Sequence, residues 1–153
     1  MKYLLQLAFV FLPIFSFAQF GATTSNPVKW EFKLIPQGEN TYKIQAAAQI
    51  EKGFHIFALD AGGDGTLIST EFELEDDQDS PDAPEWTSVP KPKTIQLDFI
   101  DGDIYWHENK VTFNKIVIIE DADAISGQVH FQVCNEEKCL PPATESFTLK
   151  LKK

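Results

Sequence analysis

Apolar residues recur at every second position through most of this chain. Val28, Trp30, Phe32 and Leu34 alternate with Lys29, Glu31 and Lys33. Tyr42, Ile44, Ala46, Ala48 and Ile50 alternate with Lys43, Gln45, Ala47 and Gln49. The same period runs through Thr70 to Leu74, Ile95 to Phe99, Val129 to Val133 and Phe147 to Leu151, and it opens the segment Val111 to Ile119. Successive side chains of an extended strand point to opposite faces, so each segment reads as a strand with one buried face. No stretch carries a helical period. Turn chemistry separates the segments: Gln37-Gly38-Glu39-Asn40, Ala61-Gly62-Gly63-Asp64-Gly65, Ser80-Pro81-Asp82-Ala83-Pro84 and Asp101-Gly102-Asp103. Pro84, Pro90 and Pro92 make Ser80 to Lys93 a long irregular connection. Eight or nine short strands without helices predict an all-β fold, an antiparallel β-sandwich.

The first residues follow a different rule. Met1-Lys2 is a short basic start, Tyr3 to Phe17 is almost wholly apolar, and Ser16-Phe17-Ala18 is a small-x-small cleavage signal before Gln19. This predicts a secretory signal peptide over residues 1–18 and a single domain over 19–153. The alternative is a membrane anchor, but the apolar run falls short of the ~20 residues a spanning helix needs. No later segment is long and apolar enough to cross a bilayer, so no stable membrane insertion is expected. The destination is a periplasmic or secreted one, where disulfides persist.

The formal net charge is −10. Anionic membrane surfaces and nucleic acid repel such a protein, and no nucleic-acid partner is expected. Much of the charge lies in one run: Glu71, Glu73, Glu75, Asp76, Asp77, Asp79, Asp82 and Glu85. It reads as a solvated edge and loop, or as a steering surface for a basic partner.

The chain has two cysteines. They stand in Cys134-Asn135-Glu136-Glu137-Lys138-Cys139, followed by Leu140-Pro141-Pro142. Cys134 ends a strand, and the four residues between the cysteines make a tight loop. The pair can therefore lie across its neck within disulfide reach. Val129, Phe131 and Val133 form the apolar face of that strand, so Cys134 falls on the other face and its thiol is expected to point away from the core. Reactive cysteines need such access. Closing so small a loop stabilises by only about 2 kcal/mol in the chain-entropy estimate. These residues leave open a redox pair and a structural hairpin disulfide. A soft-metal site using His130 with both cysteines is a weaker reading, because C-x4-C with one histidine lacks a metal-site pattern. No metal or cofactor is expected.

Three segments resemble the N-terminal periplasmic domain of DsbD-type thiol:disulfide interchange proteins. They are Lys52-Gly53-Phe54-His55-Ile56-Phe57, Asp98-Phe99-Ile100-Asp101-Gly102-Asp103-Ile104-Tyr105, and Phe131-Gln132-Val133-Cys134 through Cys139-Leu140-Pro141-Pro142-Ala143-Thr144-Glu145. The likeness runs from about Val28 to Leu151, and the Cys-x-Pro-Pro ending is its most specific element. It implies an immunoglobulin-like sandwich that relays electrons by exchange through a mixed disulfide. It implies Cys134 and Cys139 as the redox pair, Phe99 as a cap aromatic shielding them, Asp98 as an acid of the cap, and His55 with Phe57 as the aromatic pair near the sulfurs. The implied partners are a separate membrane-embedded thiol reductant, and periplasmic thioredoxin-like or disulfide isomerase proteins, including those of cytochrome c maturation. Two departures stand out. The loop between the cysteines is one residue shorter than in well-known members, and His55 stands where tyrosine is usual. The family architecture also continues into a membrane conduit, whereas this sequence ends at Lys153, so the reductant is expected on another chain.

The rival from another class is a non-catalytic secreted sandwich for binding or adhesion, with Cys134 and Cys139 as a staple. Trp30 belongs to a core face in this reading. Trp86 and Trp106 lie in or near loops and could stack on sugars.

Overall fold

The computed structural model describes residues 26–75 and 84–151. The expected leader and much of the acidic run, at 76–83, lie outside the described residues. Among the described residues there are eleven strands and no helix. In chain order they are β1 (Val28–Gly38), β2 (Thr41–Ile50), β3 (His55–Gly62), β4 (Glu71–Leu74), β5 (Thr87–Val89), β6 (Lys93–Leu97), β7 (Ile100–Glu108), β8 (Lys110–Ile118), β9 (Ala124–Phe131), β10 (Val133–Cys134) and β11 (Ala143–Lys150).

The strands form three antiparallel ladders: β1-β2-β8-β5, β10-β3-β7-β6 and β11-β9-β4. Inward residues of all three meet in one core. Val28, Ala46, Ala48, Val111 and Phe113 come from the first ladder, Ile56 and Val133 from the second, and Val129 and Phe131 from the third. The result is the expected immunoglobulin-like antiparallel sandwich. Small and large residues alternate across the first ladder. Ala46 sits between Phe32 and Phe113, and Ala48 between Trp30 and Val111. The alanines leave room for Trp30, which packs edge-on against Phe131 at 5.3 Å between ring centroids. Phe113 and Phe131 are fully buried, and each contributes roughly 1.5–3 kcal/mol of transfer free energy.

Three expectations are corrected. The connection from Ser80 to Lys93 is not wholly irregular: Thr87–Val89 pairs with β8 as a short edge strand between prolines, where a missing N–H is tolerated. Asp101-Gly102-Asp103 is not a turn but lies within β7, because the hairpin between β6 and β7 reverses at Asp98-Phe99, where Leu97 pairs with Ile100. Neither Trp86 nor Trp106 is an open platform. Trp86 stacks on Phe72 at 4.0 Å, and Trp106 sits inside β7 against His55.

Two devices position the site. The first is the run from β9 into β10, which leaves the third ladder after Phe131 and joins the second at Val133, with Gln132 as the break. One chain segment thus delivers the first cysteine from one sheet to another. The second is Gly62, whose φ of 68° lies in the left-handed region. A Cβ at this position would collide with the Asp103 backbone oxygen, so only glycine lets β7 approach so closely.

Candidate functional site

The segment between the cysteines is a hairpin held by its own polar groups. The Asn135 backbone N–H donates to the Lys138 carbonyl at 2.9 Å. The Asn135 Oδ1 accepts from the backbone N–H groups of Glu137 and Lys138, at 3.0 and 2.8 Å. Leu140 N–H donates to the Val133 carbonyl at 2.8 Å, closing the neck. Such an asparagine side chain substitutes for backbone in a tight turn. Across that neck Cys134 and Cys139 form a disulfide, with their Cα atoms 3.9 Å apart.

The two sulfurs have unequal surroundings. Cys139 is exposed. Cys134 is 2% exposed and packs with Phe57, Ala61 and Ile104. This corrects the expectation of an accessible Cys134. Cys134 does lie on the face opposite Val133, as strand alternation requires, since Val133 belongs to the main core and Cys134 to a separate cluster. That second face is itself covered, by Leu97, Ile100 and Trp106. Alternation says which face a residue takes, not what lies over it.

A cavity of about 700 Å³ opens at the disulfide. Both cysteines line it, with His55, Phe57, Phe99 and Trp106. Phe99 stands at the tip of the β6–β7 hairpin and is 79% exposed. Asp98, its neighbour, is exposed and is not among the lining residues. Of the residues singled out from sequence, the cavity therefore gathers Cys134, Cys139, Phe99, His55 and Phe57, and leaves Asp98 outside. His130 is also elsewhere. Its Nδ1 pairs with the Thr144 hydroxyl at 2.8 Å and its Nε2 lies 3.4 Å from Glu73, in the third ladder.

The ladder register arranges a row on the cavity side. Cys134 is directly opposite His55, and His55 is directly opposite Glu108. In the next row Phe57 is opposite Trp106, and Trp106 opposite Lys93. Directly opposed residues share a face with Cβ atoms about 4.5–5.5 Å apart. The His55 ring stacks on Trp106, 3.9 Å between centroids and 24° from parallel. The Trp106 indole N–H donates to Glu108 Oε1 at 3.0 Å, and Lys93 Nζ donates to Oε2 at 2.6 Å. The hydrogen bond from Lys93 is the main reason the Glu108 carboxyl is held below its usual range. Burial pushes the His55 imidazole below its ordinary value, while the Glu108 charge acts in the opposite direction.

Trp106, Glu108 and Lys93 were not anticipated as part of the site. Ile104, Trp106 and Glu108 do recur at period two, the local signal of a strand, but the pairing of Glu108 with Lys93 depends on the hairpin register.

Comparison with known proteins follows the same lines. Residues 23–151 match the family model "Thiol:disulfide interchange protein DsbD, N-terminal". No curated protein matches the sequence significantly. Among solved structures, the N-terminal periplasmic domain of ScsB from Proteus mirabilis is similar with a TM-score of 0.62 and 15% identity, over 82% of this chain and 47% of that one. This chain therefore spans about half of that structure. The reduced DsbD N-terminal domain of Neisseria meningitidis is similar with a TM-score of 0.54 and 10% identity, over 81% of this chain and 86% of that one. A complex of the DsbD and PilB N-terminal domains, also from Neisseria meningitidis, gives a TM-score of 0.51 and 11% identity, over 78% and 80%. These likenesses concern the fold. The family match spans all the described residues and shows that the chain belongs to the DsbD N-terminal domain family of thiol:disulfide interchange proteins.

Proposed function

We propose that this protein is an envelope thiol–disulfide exchange domain that relays electrons through Cys134 and Cys139. The single observation that carries the reading is the asymmetric disulfide, with an exposed Cys139 beside a buried Cys134 at the rim of a cavity. An incoming thiolate can reach only a sulfur that is open to it. Cys139 is that sulfur, and Cys134 is the one that later closes the ring.

In the reducing direction, the Cys139 thiolate attacks a partner disulfide. The partner's sulfur–sulfur bond breaks, a Cys139–partner mixed disulfide forms, and one partner thiolate leaves. Cys134 then attacks the Cys139 sulfur, re-forming the internal disulfide and releasing the second partner thiolate. Two electrons pass to the partner. A separate membrane-embedded thiol reductant restores the dithiol by the reverse exchange. The acceptors are periplasmic thioredoxin-like or disulfide isomerase proteins. The complex formed by the Neisseria DsbD N-terminal domain with a PilB domain supports a protein partner. The expected leader over residues 1–18 and the periplasmic ScsB relative support an envelope location. Phe99, exposed at the hairpin tip and lining the same cavity, serves as a movable cap over Cys139.

Trapping tests the reading. A Cys134→Ser variant keeps the exposed Cys139 and lacks the ring-closing thiol. It should accumulate mixed disulfides with envelope proteins, visible on non-reducing gels and lost with dithiothreitol. A Cys134→Ser/Cys139→Ser double variant should trap none. Equal recovery with both variants rules the relay out.

A further inference from the structure

We propose that His55 is the proton acceptor for Cys134 when the ring closes, a role that rests on the exchange reading above. Cys134 enters that step as a buried thiol. A thiol is a poor nucleophile, and it lies where bulk water has little access. Something within the protein has to take its proton.

His55 stands where that group is needed. It is the residue directly across the ladder from Cys134 and lines the same cavity, a pairing that sets the two Cβ atoms about 4.5–5.5 Å apart on one face. Its side chain is half-buried and oriented. The stack on Trp106 fixes the plane of the imidazole, and Trp106 is itself held by its N–H bond to Glu108, which Lys93 clamps from β6. Lys93, Glu108, Trp106, His55 and Cys134 thus form a continuous chain across four strands. The other charged groups lining the cavity are Lys52 from the turn before β3 and Glu136, Glu137 and Lys138 from the cysteine hairpin. Burial keeps the imidazole in its neutral, proton-accepting form near neutral pH. A nucleophile beside a base that a third group orients is the general arrangement for thiol activation.

The step balances. The Cys134 thiol gives its proton to an imidazole nitrogen. The resulting thiolate attacks the Cys139 sulfur of the mixed disulfide. The Cys134–Cys139 bond forms, the Cys139–partner bond breaks, and the departing partner thiolate takes the proton from the imidazolium. His55 ends neutral.

The experiment follows ring closure directly. The reduced protein is mixed with glutathione disulfide, samples are quenched by alkylation, and mass spectrometry follows the Cys139–glutathione adduct as it converts to the internal disulfide. In the wild type, closure should vary little from about pH 6.5 to about pH 9, because the base is already neutral. In His55→Gln, closure should depend on the free thiolate. It should slow about tenfold for each pH unit below the thiol's own titration, so that its deficit against the wild type grows as the pH falls and closes as the thiolate forms. His55→Tyr keeps a ring on Trp106 without a base and should reproduce the His55→Gln profile. Slowing by a constant factor at every pH would make His55 a packing residue and overturn the proposal, as would unchanged profiles in both variants. A wild-type protein that glutathione disulfide converts neither to the adduct nor to the internal disulfide overturns the exchange reading itself.

Discussion

His55 lies face to face with Trp106, 3.9 Å between ring centroids, and the indole N–H is bonded to Glu108. The stack ties the strand facing Cys134 to the strand that carries Glu108 on the cavity wall. Trp106→Leu removes both the stack and the N–H bond. Since Trp106 is half-buried, the expected loss is about 2–3 kcal/mol, below that of a fully buried tryptophan. Urea unfolding of the oxidised protein measures it. A loss under about 0.5 kcal/mol, the level of an ordinary surface change, contradicts the structural role.

His107 is the neighbouring residue on the opposite face of β7. It is 3% exposed, its Nε2 has no hydrogen-bond partner among the described residues, and it packs edge-on to Phe113. Burial pushes its imidazole down to about 4. In the unfolded chain it titrates near 6.5, so between those values the unfolded state binds more protons. Stability is therefore full above about pH 6.5 and falls as the pH drops toward 4, by about 3 kcal/mol from this group. Denaturant midpoints across that window should show the fall in the wild type and a reduced slope in His107→Leu. Parallel curves would count against a buried neutral imidazole.

Gly62 sets β3 hard against β7, leaving no room for a Cβ. Gly62→Ala places a methyl group against the Asp103 backbone and forces a left-handed φ on alanine. The expected cost is about 2 kcal/mol or more, with a faster reaction of the disulfide as β3 and β7 separate beneath it. Thermal unfolding checks the first effect and dithiothreitol reduction the second. A variant as stable as the wild type refutes the close approach.

Phe99 is 79% exposed, so little of its ring contributes to the core. Phe99→Ala should leave stability within about 0.5 kcal/mol. As a cap over Cys139, its loss should raise the rate of reduction by dithiothreitol several-fold. Stopped-flow fluorescence follows that rate, and an unchanged value removes the capping role.

These sites differ in how far the sequence discloses them. The alternation of Trp30 and Phe32 with charged residues, and of Ile44, Ala46 and Ala48 along β2, is a local pattern, and those strands fold as read. The cysteine hairpin is local too, with Asn135 supplying the turn. The burial of Cys134 is not local. It depends on Gln132 breaking the ladder so that β10 joins β3, and on β6 and β7 covering the far face. The hairpin at Asp98-Phe99 was hidden because Gly102, with a φ of 94°, imitates a turn inside a strand. Its role is conformational, since that φ lies in the left-handed region while a Cβ there would make only ordinary contact with Gly63. The row from Cys134 through His55 to Glu108 joins residues from three separate segments, and no one-dimensional period can show it.

The most direct measurement is the equilibrium reduction potential of the Cys134–Cys139 pair, taken in glutathione and dithiothreitol buffers with thiol trapping. An exchange pair with one exposed sulfur should lie among the known exchange proteins, roughly −120 to −270 mV. A value well below about −300 mV, the range of structural disulfides, would make the bond a staple and contradict the relay.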